Sequence, residues 1–318
     1  MSIVLITGAD GFIGKALCAE MLSRGWKVRA SVRSREKIKS LPEEIQIIET
    51  GSISPDTDWA NALDNVDSVV HLAGRVHAME DSSSDPLSGY RFVNTFGTGK
   101  LARSAASSGV RRFIFMSTVK VNGEGGGVPY CEDDIPGPSD PYSISKWEAE
   151  KTINAIAGET GMEAVSIRAP MVYGPEVKAN FFKLLKIVDR GIPMPFAGVK
   201  NKRSMIYLGN LVDVIITCLT HPEAGQKTYL VSDDYDISTP ELIRQIAESL
   251  GKTAKLFYLP LFMLRLTGAI TGKSQAIDRL TNSLAVDLSR IKRELNWNPP
   301  FTLAQGLKQT AEWFIKFH

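Results

Sequence analysis

Residues 7–14 read Thr7-Gly8-Ala9-Asp10-Gly11-Phe12-Ile13-Gly14, directly after the apolar run Ile3-Val4-Leu5-Ile6. The run is a short buried strand, and the glycines punctuate the turn that follows it. Ala16, Leu17, Ala19, Met21 and Leu22 then recur with helical spacing. Strand, glycine turn and helix in this order form a cradle for the pyrophosphate of a dinucleotide. Gly8 permits the tight turn, Gly11 lets backbone approach phosphate, and Gly14 lets helix and strand pack closely. Phe12 and Ile13 add N–H groups at the positive end of the helix.

Strand-like runs at 3–6, 27–32, 45–48, 68–72, 112–117 and 164–168 alternate with helical patterns at 12–24, 58–63, 90–108 and 143–159. That alternation predicts a Rossmann-type α/β fold, a doubly wound parallel sheet. After Pro170 the pattern breaks at Pro175, Pro193 and Pro195, and then returns with helix-like 211–219 and strand-like 228–231. The expected organisation is a dinucleotide-binding domain of 1–170 plus about 208–235. Residues 171–207 and 236–318 would form a smaller C-terminal α/β substrate domain.

Bulk properties set bounds. The chain has 318 residues, 43% of them hydrophobic, enough for one large or two modest domains. Its 37 basic and 35 acidic residues leave a net charge of +2, which favours neither nucleic acid nor an anionic surface. Cys18, Cys131 and Cys218 lie far apart, which points to a reduced compartment, a cytoplasmic location and no metal site. The chain opens directly into a strand, without a visible leader. Leu256–Gly272 is apolar but carries Pro260 and Arg265. It is too short and too broken for stable membrane insertion and reads as a helix of the substrate domain, with peripheral membrane contact as the alternative.

The end of the second strand selects the nucleotide. A carboxylate there holds the ribose 2′-hydroxyl of NAD, whereas an arginine suits the 2′-phosphate of NADP. Lys27-Val-Arg-Ala-Ser-Val32 ends without an acid and is followed by Arg33. NADP(H) is therefore favoured and NAD(H) is the alternative; Ser31 and Arg35 are weaker candidates for the same contact. Ser52 and Ile53, at the tail of the third strand, would face the adenine. Leu72, Ala73 and Gly74 are small or apolar and let backbone approach the middle of the cofactor. His71 beside them reads as structural.

Tyr142 and Lys146 share one face of a helix at i and i+4, beyond a strand ending Ser117-Thr118. A free phenol titrates near 10, too high for proton exchange at neutral pH, and a neighbouring ammonium lowers it. Lys146 could also bond the nicotinamide ribose, and Thr118 could orient a substrate oxygen.

Taken together, Thr7-Gly8-x-x-Gly11-x-x-Gly14 with Thr118, Tyr142 and Lys146 resembles the extended short-chain dehydrogenase/reductase family, in its nucleotide-sugar epimerase/dehydratase/reductase branch. The resemblance runs over nearly the whole chain. Asn94, in Val-Asn-Thr-Phe-Gly-Thr, and the segment Arg168-Ala-Pro-Met-Val-Tyr-Gly-Pro175 match family positions. The tail Asp287 to Pro300 is similar to that branch's C-terminal signature. By resemblance Asn180, Arg203 and Arg279 contact a nucleotide diphosphate, the partner is a UDP-sugar, and the chain is a homodimer through helices near 90–108 and 143–159.

Two departures refine this. The family's Ser-x-x-x-Val-Tyr-Gly is here Thr118-Val-Lys120-Val-Asn-Gly123, which puts Lys120 forward as a substrate contact. The second strand looks like that of NADPH-dependent dihydroflavonol-type reductases. Lys120-Val-Asn-Gly-Glu and Lys178-Ala-Asn-Phe-Phe look like enzymes of bacterial surface-polysaccharide (O-antigen, lipopolysaccharide) pathways. The resemblance implies an NADPH-dependent 4-reductase of a UDP-4-keto-6-deoxy-N-acetylhexosamine. The alternatives are a 4-epimerase that retains NAD, a reductase of a small uncharged ketone, and a non-catalytic nucleotide sensor.

Overall fold

The computed structural model describes residues 2–37, 41–76, 85–272 and 274–318. The first half of the chain alternates as the periodicity predicts. Strands β1 (Ile3–Thr7), β2 (Lys27–Val32), β3 (Gln46–Glu49), β4 (Ser68–His71), β5 (Arg112–Thr118) and β6 (Glu163–Ala169) are separated by helices α1 (Phe12–Ser23), α2 (Ala60–Leu63), α3 (Pro86–Tyr90), α4 (Thr98–Ser107) and α5 (Pro141–Thr160). The second half holds β7 (Met171–Tyr173), α6 (Ala179–Asp189), β8 (Met205–Tyr207), α7 (Leu208–Thr220), β9 (Lys227–Leu230) and α8 (Thr239–Ser249). Helices α9 (Leu261–Ile270), α10 (Ser274–Thr281), α11 (Ser289–Leu295) and α12 (Leu303–Phe317) follow.

Seven strands form one parallel sheet in the order β3-β2-β1-β4-β5-β6-β9. The order reverses between β1 and β4, leaving a crevice above their carboxyl ends where a ligand can sit. Val4, Leu5, Ile6, Val69, Val70, Phe113, Ile114 and Phe115 are fully buried. Both faces of the central strands are therefore covered, which is why they read as continuous apolar runs. Trp59, Leu101, Ile153 and Ile156 bring α2, α4 and α5 onto one face. Leu17, Met21, Leu211 and Ile215 bring α1 and α7 onto the other.

β7 and β8 pair in a separate two-stranded parallel sheet. The apolar cluster on the α1 side runs on without a break to Tyr173, Phe181, Met205, Trp297 and Phe314. The C-terminal elements thus share a core with the main sheet instead of forming a second one. The single helix expected over 90–108 is compound: α3 passes through a π-helical stretch, Arg91–Gly97, into α4. Apolar periodicity cannot reveal such a widened turn, because it adds one residue without interrupting the helix.

Candidate active site

The glycine turn takes its shape from close contacts. Gly8 has φ +67°, and a Cβ there would lie 2.9 Å from the Ala73 backbone nitrogen at the end of β4. A Cβ on Gly14 would lie 2.1 Å from the Gly8 carbonyl oxygen. Any side chain at either position therefore pushes the turn away from α1 or from β4. Gly11 is the N-cap of α1, and no side chain caps that end. The first N–H groups of the helix are thus left for an anion.

This turn opens on a cavity of about 1070 Å³ above the carboxyl ends of the strands. Gly8, Gly11, Phe12, Ile13, Gly14, Arg33, Ser52, Ile53, Leu72, Ala73 and Gly74 line one part of it. Thr118, Tyr142, Lys146 and Asn180 line another. Residues from the ends of β1 to β6, more than a hundred positions apart in sequence, meet there because parallel strands place all their carboxyl ends on one side. The enclosure is long enough for a dinucleotide with a second group beside it.

Arg33 makes no ion pair or hydrogen bond among the described residues. Arg35, the weaker candidate, turns away: its Nη2 donates to the Ile47 carbonyl at 2.8 Å and its N–H to Glu49 at 3.3 Å. Ser31 is held by Thr50 at 2.7 Å. Asn94 is not among the lining residues. It lies buried beneath the β4 loop, where Oδ1 accepts from the Arg75 N–H at 2.8 Å. Its Nδ2 donates to the Arg75 carbonyl and to Ser145 Oγ, both at 3.0 Å. These bonds make Asn94 a support of the loop that carries Gly74, and the direct cofactor contact expected of it stays a proposal. His71 is also committed, with Thr7 at 2.7 Å and Thr98 at 2.8 Å on its two ring nitrogens. Burial lowers its pKa to about 3, so it stays neutral.

Helix α5 sets the reactive groups. Asp140 caps it, with a reciprocal Ser143 bond, and Pro141 fixes its first turn. Tyr142 and Lys146 follow on one face. Lys146 Nζ donates to the Met116 carbonyl at 2.8 Å and stands 4.4 Å from the centroid of the Phe115 ring. Burial depresses its pKa to about 8. Burial, with smaller contributions from Asp140 and Tyr90, raises that of Tyr142 well above the ordinary phenol range. The protein's own groups thus favour the protonated phenol, with desolvation the largest influence, whereas the lowering expected from sequence includes a cationic nicotinamide. Thr118 Oγ1 accepts from the Lys120 N–H at 3.3 Å, which leaves its own O–H to donate into the cavity.

Glu150 continues the same helical face one turn beyond Lys146. It is fully buried and accepts from Ser117 on β5 and from Arg168 on β6. The Arg168 Nη2 bond is 2.7 Å, and Arg168 Nη1 donates to Asn122 Oδ1 at 3.0 Å. This network ties α5 to the two strands beneath it. Sequence reading passed over both Glu150 and Asp140. The Asp-Pro pair before Tyr142 is a helix-start signal, and Glu150 lies at i+4 from Lys146, so both signals were present.

Lys120 does not line the cavity. Its ammonium is engaged by Asp140 at 2.6 Å and Glu124 at 2.8 Å. Among the described residues Lys120 thus braces the N-cap of α5, and its expected contact with substrate stays a proposal. Lys120→Met is expected to destabilise the fold by about 1 kcal/mol through the weakened cap. Denaturant titration reads that loss, and steady-state kinetics should show KM for the sugar unchanged. A KM raised tenfold with stability intact would restore the substrate role.

Arg203 and Arg279 lie together, apart from the lining residues. Arg203 Nη1 donates to the carbonyls of Arg279 at 2.7 Å and Asn282 at 3.1 Å. Burial and then Arg279 lower its pKa against the opposing pull of Glu124. The bond ties Arg203 to the Arg279 backbone, and the Arg279 charge also acts on Arg203.

These features place a glycine turn and a threonine, a tyrosine and a lysine around one cavity of a Rossmann-type α/β fold. The sequence profile of the NAD dependent epimerase/dehydratase family matches residues 4–237, and the chain belongs to that family. It is 44% identical over 317 residues to a UDP-glucose 4-epimerase of Vibrio cholerae, covering 98% of this chain and 95% of that one. It is 29% identical to the N-acetyl-α-D-glucosaminyl-diphospho-ditrans,octacis-undecaprenol 4-epimerase of Escherichia coli O157:H7, covering 98% and 94%. The solved UDP-glucuronic acid 4-epimerase of Bacillus cereus, in complex with UDP-glucuronic acid and NAD, superposes with a TM-score of 0.80 at 22% identity. The superposition covers 99% of this chain and 100% of that one, and it establishes the fold. The chemistry of the class is that of nucleotide-sugar 4-epimerases and related short-chain dehydrogenases. A sensor without catalysis is set aside, since the family is one of enzymes.

Proposed function

We propose that the chain reduces the 4-keto group of a UDP-linked 4-keto-6-deoxy-N-acetylhexosamine with NADPH, in bacterial polysaccharide biosynthesis. The observation that carries this is Arg33, unpaired among the described residues, on the cavity wall at an end of β2 that has no carboxylate. A guanidinium there attracts a 2′-phosphate and gives nothing to a 2′-hydroxyl that an acid would have held.

The residues divide the work as follows. Gly8, Gly11 and Gly14 shape the turn, and the N–H groups of Phe12 and Ile13 receive the pyrophosphate. Ser52 and Ile53 flank the adenine, and Leu72 to Gly74 lie along the middle. Bound dihydronicotinamide supplies the hydride. Lys146 holds its ribose, and Thr118 donates to the C4 oxygen. Tyr142 delivers the proton that makes that oxygen a hydroxyl. Asn180, Arg203 and Arg279 hold the UDP diphosphate, and the paired guanidiniums explain why a charged substrate is preferred to a small uncharged ketone. Residues 1–170 with 208–235 serve the cofactor, and 171–207 with 236–318 the sugar nucleotide. A cytoplasmic homodimer through α4 and α5 completes the proposal, supported by Phe92 and Phe96, which are exposed beside α4.

The Vibrio cholerae relative favours a second reading, a UDP-hexose or UDP-N-acetylhexosamine 4-epimerase with retained NAD. Incubation with a UDP-4-keto-6-deoxy sugar distinguishes the two. One NADPH oxidised per sugar converted supports reduction, and interconversion of C4 epimers without net nicotinamide consumption overturns it. Arg33→Asp is expected to weaken NADPH by about ten- to a hundredfold with NADH changed little, as fluorescence titration would show. Equal losses would reduce Arg33 to a surface charge.

A further inference from the structure

Helix α9 inverts the pattern of an ordinary surface helix. Its buried positions are Leu264 and Gly268, one turn apart, and Gly268 packs so closely on α10 that a Cβ would meet Ile277 at 2.8 Å. At about 100° per residue, the direction opposite this stripe is centred on Leu266 and flanked by Phe262 and Ile270. Those three side chains are 57%, 70% and 77% exposed. The face farthest from the protein is therefore its most apolar, where water contact alone would favour polar residues. Phe257 and Tyr258, shortly before the helix in sequence, are also exposed.

Charge identifies what covers it. No acidic residue occurs between Glu248 and Asp278. Lys255 and Arg265 are exposed in this stretch and have no ion pair among the described residues. A ten-residue helix is about 15 Å long, and no described helix is long and apolar enough to cross a membrane. A two-fold contact between antiparallel copies through the same stripe would bring both copies of Arg265 to one edge of the seam, where like charges repel. An apolar outer face, flanking aromatics and a cationic rim without acids match the plane of an anionic bilayer.

We infer that α9 docks this protein on an anionic phospholipid surface. Phe262, Leu266 and Ile270 enter the acyl boundary, and Lys255 and Arg265 meet headgroup phosphates. The docked helix would keep its contact with α10, whose last turn Arg203 holds.

Vesicle flotation of the full chain tests this, with phosphatidylcholine alone and in equal mixture with phosphatidylglycerol. The wild type is expected to float with the mixed vesicles and to be released by salt. Phe262→Ser, Leu266→Ser and Ile270→Ser combined should lower the vesicle partition coefficient by about a hundredfold. Arg265→Glu alone should lower it by about tenfold on the mixed vesicles only. NADPH binding reports the fold of each variant, and Arg265→Glu carries the test if the triple variant loses it. Wild-type protein that stays down with both vesicles overturns the inference, as does flotation unchanged by Arg265→Glu. So does a triple variant that turns a dimer into a monomer in sedimentation, since the face would then belong to a second copy.

Discussion

Tyr142→Phe is expected to lower turnover by about three orders of magnitude while cofactor affinity stays near that of the wild type. The substitution removes one oxygen and keeps the ring, so the edge contact with Tyr90, 6.3 Å between centroids, survives. What is lost is the buried O–H that burial holds in its protonated form. The alkoxide left by hydride transfer would then have only Thr118 to bond to. That hydroxyl can orient the oxygen, but it is a far weaker acid than the developing charge requires. Nucleotide binding should persist because the glycine turn, Arg33 and Lys146 are untouched. Steady-state rates with fluorescence titration of NADPH separate the two quantities. A rate within tenfold of wild type would show that the proton comes from elsewhere.

Glu150→Ala is expected to destabilise the protein by about 3–5 kcal/mol. Its carboxylate is fully buried and joined to Arg168 by bonds of 2.7 and 3.1 Å, and truncation strands that guanidinium in the interior. Ser117 loses its acceptor as well. The effect is mainly the penalty of an uncompensated buried charge, so Glu150→Ala with Arg168→Met should recover part of it. Denaturant midpoints of both variants check this. A single-variant loss below about 1 kcal/mol would mean that water reaches Arg168 and that the network does not anchor α5. Turnover should fall with stability, because α5 carries both Tyr142 and Lys146.

Several features were legible before any coordinates. The parallel sheet was readable because buried strands leave continuous apolar runs and helices leave a different period. Arg33 was readable because its position is a fixed distance along the chain from the glycine turn. The ion pair of Lys120 was not legible for the opposite reason: its partner Asp140 lies on another element, and sequence spacing carries no information about that meeting. The bonds of Asn94 to the Arg75 backbone were not legible either, because they join a helix to a distant loop. How strongly burial raises the Tyr142 phenol was not legible, because it depends on everything packed around the ring, including Tyr90 from a helix about fifty residues away.

The glycine turn of residues 7–14, the strand–helix alternation and the Tyr-x-x-x-Lys spacing were determined by sequence alone. Each is a local property of the backbone and of neighbouring side chains. Only the tertiary structure decided that Thr118, Tyr142, Lys146, Asn180 and Arg33 share one cavity. It also decided that Glu150 and Asp140 hold the helix that bears the reactive pair, and that the most apolar side of α9 faces outward. Those outcomes depend on which strand ends lie side by side and on which surfaces remain uncovered, and both are settled only when distant segments pack.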